Sequence, residues 1–175
     1  MPSSARCTGF APCIDETCTH LILGSMPSVA SLAAQQYYAH PQNRFWPLMA
    51  RILENAPAAP EGYRDRLAML LRHRIALWDS IDSCDREGSL DTAIKNEQGT
   101  DLAALLEQFP KIRTICFNGG KSFQCFKKHN AGLLERPGLR LCKMPSTSPA
   151  NARWRLPMLE EAWRIPLAPC IRKDA

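Results

Sequence analysis

Between Gly24 and Trp46 the chain gathers two tyrosines, a histidine, an asparagine and two further aromatics into one stretch, GSMPSVASLAAQQYYAHPQNRFW. Small residues at its head let the backbone approach a ligand and leave N–H groups free to bind it. Tyr37, Tyr38, Phe45 and Trp46 can wall a flat ring, while His40 and Asn43 can present polar groups to it. The plainer alternative is a satellite core under a long loop, with Asn43 as a cap or turn residue. Trp46 is expected in the core, and of the adjacent tyrosines one is expected inward and the other facing a ligand.

A second cluster, Pro145-Ser146-Thr147-Ser148-Pro149-Ala150-Asn151, alternates hydroxyls and an amide with prolines that fix the backbone. Such a loop can clamp phosphates through hydroxyls and exposed amides, with Arg153 or Arg155 adding charge; equally, it can be a rigid turn capping the helix that follows. Asn118-Gly119-Gly120-Lys121-Ser122 has the look of a phosphate loop, but the GxxxxGK[ST] spacing is absent, so a strand-to-helix turn suffices. No GxSxG elbow, HExxH pair or CxxC motif occurs. Asp79 reads as a turn residue or as a carboxylate facing a ligand.

The elements that must position these residues follow from short apolar runs and turn signals. Thr19–Leu23 predicts a first strand ending at Gly24, and Pro41 predicts the opening of a helix over 42–53 with an apolar stripe at Phe45, Leu48, Met49, Ile52 and Leu53. Residues 55–60 read as a linker and 61–74 as a helix. Strands are expected at 75–78, 112–117 and 139–142, and helices at 90–95, 101–109, 121–129 and 153–165, the last capped by Asn151 with Pro157 near its start. Residues 79–88 are expected as a turn and loop. Four strands spaced too far apart for hairpins imply βα units: an α/β fold, a central parallel sheet covered on both faces. Ligands gather at the carboxyl ends of such strands, where the Gly, Pro, Ser and Asn clusters fall.

Composition narrows the class. The 175 residues, 45% of them apolar, suit one domain spanning 1–175 with a substantial core. No run approaches the roughly eighteen apolar residues that cross a bilayer, and the opening residues carry no apolar leader, so a cytoplasmic address without membrane attachment is expected. The 22 Lys and Arg against 17 Asp and Glu favour a polyanionic partner, weakly. Eight cysteines, at 7, 13, 18, 84, 116, 125, 142 and 170, lack the close pairs of a zinc or cluster site and are expected as reduced thiols.

The residues now carry a specific likeness. Gly24-Ser25-Met26-Pro27-Ser28, Ser31-Leu32, Gln36-Tyr37-Tyr38, His40-Pro41, Asn43 and Phe45-Trp46 resemble the first motif of the hypoxanthine-DNA (deoxyinosine) glycosylases, a branch of the uracil-DNA glycosylase superfamily. Leu77-Trp78-Asp79, Phe117-Asn118-Gly119 and Pro145–Asn151 are similar to its later blocks, in order, so that the likeness spans residues 9 to 165.

The resemblance implies a three-layer α/β/α fold around a four-stranded parallel sheet, with a base pocket at its carboxyl edge. It implies a monofunctional, monomeric enzyme without metal or cofactor, hydrolysing the bond between a deaminated base and deoxyribose in double- or single-stranded DNA. Better-known superfamily members carry a water-activating Asp or Asn where this chain has Met26, and often a His where it has Ser146. In this branch the catalytic residue falls on Asn43, whose amide oxygen is expected to hold the water. The implied base pocket comprises Gly24, Ser25, Met26, Tyr38, Phe45 and Asp79, whose carboxylate is placed to accept hypoxanthine N1–H. Ser25, Ser28, Ser146 and Ser148 are expected to grip phosphates, and Pro149, Ala150, Asn151 or Arg153 to fill the stack left by a flipped nucleotide. The alternatives are a uracil or mismatch glycosylase, a nucleic-acid binding module without catalysis, and a nucleoside hydrolase.

Overall fold

The computed structural model describes residues 5–171; residues 1–4 and 172–175 of the expected domain lie outside the described residues. The chain runs β1 (Arg6–Thr8), β2 (His20–Gly24), α1 (Val29–Ala34), α2 (Phe45–Glu54), α3 (Tyr63–Arg72), β3 (Ile75–Asp79) and β4 (Ile81–Asp85). It continues through β5 (Lys95–Gly99), α4 (Leu102–Gln108), β6 (Thr114–Asn118), α5 (Gly120–His129), β7 (Arg140–Met144) and α6 (Leu156–Leu167).

Four strands form a parallel sheet in the order β3-β2-β6-β7. β2 and β6 are buried along their whole length, as central strands covered on both faces must be. Alternation sorts their side chains: Ile22, Leu77 and Cys116 face a core built with α2, α3 and α6, while Leu21, Leu23, Ile115 and Phe117 face one built with α4 and α5. The result is the expected α/β/α layering. β2 connects to β3 on one side while β6 lies on the other, so the chain reverses its winding at the β2–β6 junction. There the strand ends part and leave a crevice.

A second, three-stranded antiparallel sheet, β1-β4-β5, corrects the sequence reading. That reading has residues 79–88 as a loop and 90–95 as a helix; instead only Ser80 separates β3 from β4, and 90–95 holds one 3₁₀ turn (Asp91–Ala93) before β5. The register of β4 on β5 shifts between Ile81 and Ser83 and again between Ser83 and Asp85. That irregularity breaks the period-two pattern, and β5 (KNEQG) has no apolar residue to show one. Met26 belongs here: it is buried with Ile81, Cys84, Ile94 and Cys125, fastening the loop after β2 to the small sheet.

Two further corrections concern helix starts. α2 begins at Phe45 and not after Pro41: Arg44 takes the N-cap place, and the Asn43 side chain just before it turns back to accept the Phe45 N–H at 2.9 Å. Asn151 does not cap α6: the helix starts at Leu156 with Pro157 in its first turn, and the Asn151 amide donates to the Ser146 carbonyl at 3.0 Å. No helix is long and apolar enough to cross a membrane among the described residues. All eight cysteines are free thiols.

Candidate active site

The carboxyl ends of β2, β3 and β6 place Gly24, Asp79 and Asn118 side by side, with Gly24 opposite Asp79 in the register. The loops after β2 and β7 close over them, leaving a pocket of about 460 Å³, within the range of small-ligand sites. Of the residues singled out from sequence, Gly24, Ser25, Met26, Tyr38, Asn43 and Asp79 line it. So do Ser28, Ser146, Ser148, Pro149 and Ala150. Phe45 does not: it is fully buried and stacks behind Tyr38, ring centroids 4.0 Å apart. Arg153 is exposed and Asn151 half-buried, and neither lines the pocket.

Both tyrosines border the pocket, and they differ in burial. Tyr37 is buried and donates its hydroxyl to the Ala11 carbonyl at 2.9 Å, and its own carbonyl accepts the Trp46 indole N–H at 2.8 Å. Tyr38 sits in the left-handed region at φ 54°, a conformation costly for an aromatic residue and held here by surrounding contacts. Burial, chiefly, and the nearby Asp79 push its phenol pKa up, so Tyr38 keeps its proton at any physiological pH.

Counting protons fixes a directed chain of hydrogen bonds beneath the pocket. Backbone N–H groups can only donate, so the Asn118 atom 3.0 Å from the Thr147 N–H and the Asn43 atom 2.9 Å from the Phe45 N–H are both amide oxygens. The Asn118 amide nitrogen therefore donates to Tyr38 Oη at 3.1 Å and to Thr147 Oγ1 at 3.0 Å. Thr147 Oγ1, having accepted, donates to Asn43 Oδ1 at 2.9 Å. Both lone pairs of Asn43 Oδ1 are thus occupied. The expectation that this oxygen holds a water is corrected: the group left for the pocket is Nδ2, a donor that can bind a water's oxygen but cannot take a proton.

Asp79 is the electrostatic anomaly. It is buried, and its Oδ2 has no partner among the described residues. Desolvation pushes its pKa up to about 7, with the buried Arg86 opposing the rise and Asp91 adding to it. Below that pH Asp79 is a neutral acid, offering a carbonyl acceptor beside an O–H donor.

Gly24 makes room for this edge. A Cβ there would lie 2.5 Å from Asp79 Oδ1 and 2.9 Å from Tyr38 Oη. Gly24→Ala is expected to raise the KM for substrate about tenfold, the equivalent of modest overpacking, with kcat less affected; steady-state kinetics checks it. Gly119, at φ +93° with Ser146 packed against it, lets the turn after β6 pass under the last loop.

That last loop is held by a residue that no sequence signal singles out. Arg44 donates its backbone N–H and Nε to the Thr147 carbonyl at 3.1 and 3.3 Å, and Nη2 to the carbonyls of Ser148 and Asn151 at 2.6 and 3.1 Å. Ser146 Oγ and Ser148 Oγ accept the N–H groups of Ser148 and Ala150, which leaves each hydroxyl proton free to donate. The other two serines are more committed: Ser28 caps α1, and Ser25 Oγ donates to Asp91 at 2.8 Å. Arg44→Lys keeps the charge but loses the fork. It is expected to cost about 1–3 kcal/mol of stability and, through a loosened loop, about tenfold in turnover; melting and rate measured together check this.

A groove of about 520 Å³ over the outer face of α6, by Pro157, Glu161 and Ile165, holds none of the unpartnered buried side-chain atoms. Among the described residues no cluster of three His, Cys, Asp or Glu is placed to hold a metal ion.

A parallel sheet reversing at β2–β6, with its pocket at that junction, is the setting in which the sequence matches the Uracil DNA glycosylase superfamily over residues 12–165, and the chain belongs to that superfamily. More narrowly, it falls in the hypoxanthine DNA glycosylase family. It is 40% identical over 147 residues to the Hypoxanthine DNA glycosylase of Methanosarcina acetivorans, covering 83% of this chain and 89% of that one. It is 41% identical over 114 residues to that of Methanosarcina barkeri, covering 65% and 72%. Among solved structures it is similar to the solution NMR structure of a candidate uracil DNA glycosylase from Methanosarcina acetivorans, with TM-score 0.80, 35% identity, and 95% and 99% of the two chains covered.

Proposed function

We propose that the protein is a monofunctional, monomeric DNA glycosylase that releases hypoxanthine from deoxyinosine in DNA. The observation that carries the reading of a deaminated base, one with an N–H beside a carbonyl, is the neutral carboxyl of Asp79 against Gly24 at the pocket floor. Hypoxanthine presents N1–H beside the O6 carbonyl, and a protonated carboxyl matches both, accepting the first and donating to the second. The two relatives named above as Hypoxanthine DNA glycosylases support the same base. Tyr38, backed by Phe45, supplies a flat wall for the purine.

Cleavage of the glycosidic bond builds positive charge on the sugar and negative charge on the departing base. The attacking water then needs placement more than deprotonation. Asn43 Nδ2 supplies that placement by donating to the water's oxygen, which bonds C1′ while one water proton ends on the released base. Asn43 stays rigid because Phe45 and Thr147 hold its oxygen. Among the described residues no lysine lines the pocket, which supports a reaction without a Schiff-base route to strand cleavage. Ser146 and Ser148 donate to phosphates flanking the flipped nucleotide.

Uracil presents the same N–H and carbonyl edge at N3 and O4, so the pocket floor alone accepts either base. The deciding assay offers oligonucleotides containing deoxyinosine, deoxyuridine, deoxyxanthosine or mismatched thymine, alongside free deoxyinosine. Release of hypoxanthine from DNA, with the free nucleoside untouched, is the expected outcome. Uracil release without hypoxanthine release would overturn the base assignment and keep the class; DNA binding with no base released would overturn the class.

A further inference from the structure

A base reaches such a pocket from a duplex only if its nucleotide swings out, and a side chain that fills the vacated stack keeps it from swinging back. The loop after β7, where the resemblance puts that side chain, is poorly equipped. Ala150 is small, the Asn151 amide is spent on the Ser146 carbonyl, and Arg153 lies beyond the pocket lining. The small antiparallel sheet offers something better. In the β4–β5 connection Leu90 lines the pocket and is 61% exposed; Val29, 54% exposed at the start of α1, lies beside the connection, its N–H bonded to neighbouring Ser89.

A single exposed leucine means nothing by itself; its mounting is what matters. The connection is fastened to the loop after β2 at three points: Ser25 Oγ donates to Asp91 at 2.8 Å, the Val29 N–H donates to Ser89 Oγ at 2.9 Å, and buried Arg86 donates to the Pro27 carbonyl. Leu90 itself stands at the extended corner that opens the 3₁₀ turn, its carbonyl accepting the Ala93 N–H. A largely exposed apolar side chain is thereby carried at the rim of the pocket by a connection fastened on both sides of it.

We propose that Leu90, flanked by Val29, enters the DNA stack as the flipped nucleotide leaves it. This rests on the glycosylase reading above and adds a second DNA-contacting edge, made by the antiparallel sheet, to the loop after β7.

Leu90→Ala tests it with deoxyinosine in a duplex and in a single strand of the same sequence, under single-turnover conditions. Excision from the duplex is expected to fall about tenfold or more, and excision from the single strand to stay within about twofold, since an unpaired base has no stack to be kept out of. Leu90→Phe, still a large apolar wedge, is expected to keep duplex activity. A 2-aminopurine next to the lesion is expected to brighten on binding wild-type protein and less with Leu90→Ala. Equal losses on both substrates would put Leu90 in base binding and overturn the proposal, as would no loss on either. If wild-type protein acts on single strands alone, there is no stack to enter and the wedge falls while the glycosylase reading stands. If it releases no base from any DNA, the glycosylase reading fails and the wedge with it.

Discussion

Replacing Asn43 by Ala is expected to lower single-turnover excision by about 10² or more, the size of effect seen when one aimed hydrogen-bond donor is removed from a reacting centre. The same change removes the acceptor of the Phe45 N–H at the start of α2 and is expected to cost about 1 kcal/mol of stability. The two effects separate cleanly, because a lost structural hydrogen bond shifts the melting curve and leaves the rate of the folded protein alone. Asn43→Asp is the more informative variant. One carboxylate oxygen can keep the bonds from the Phe45 N–H and Thr147 Oγ1, so the fold of the loop survives. The other oxygen then stands where the donor stood, carrying negative charge and able only to accept. Its excision rate is expected to fall as far as that of the alanine variant at neutral pH. An aspartate variant that excises at the parental rate would show that the residue works as an acceptor and would reverse the role assigned to its amide.

The second large effect is pH dependence through Asp79. With the neutral carboxyl as the base-reading form, hypoxanthine excision is expected to be level below the pKa of about 7 and to fall about tenfold per unit above it. The amide introduced by Asp79→Asn offers the same donor and acceptor at every pH, so the profile of that variant is expected to be flat. A rate that climbs through neutrality would identify the ionised carboxylate as the reading form. Stability moves in the same sense. The folded-state pKa is raised, so the unfolded chain gives up this proton first, and the folded state loses ground as pH rises from about 4 to about 7. At roughly 1.4 kcal/mol per pKa unit the penalty reaches a few kcal/mol above neutrality. Asp79→Asn is therefore expected to melt higher than wild type at alkaline pH and to lose that advantage in acid, which paired melting curves would show.

The parallel sheet and its layers were legible because β2, β3 and β6 each carry an apolar run of at least three residues and each ends in a Gly, Asp or Asn turn. The small sheet was not, since β5 has no apolar residue and β4 is pinched twice out of register. At the site, Gly24, Tyr38, Asn43, Asp79 and the serine loop were visible as chemistry-bearing types beside turn signals. Phe45 was misplaced because an aromatic one position into a helix can face either way, and the stack on Tyr38 decides it. Arg44 was invisible for a different reason: its partners are backbone carbonyls more than a hundred residues away, and carbonyls leave no mark in a sequence. The orientation of the Asn43 amide was likewise beyond reach, for it depends on which atoms face it.

Asn43 and Arg44 are neighbours in the chain, and between them they bind the 146–151 loop to the pocket wall through Thr147, Ser148 and Asn151. The two segments are one part in the engineer's sense. Transplanting the serine loop from a relative, to alter which lesions are gripped, would set foreign carbonyls against this arginine and tilt the amide beside it. A graft that exchanges residues 43–44 together with 146–151 moves the joint whole, and only such paired exchanges are expected to yield working chimaeras.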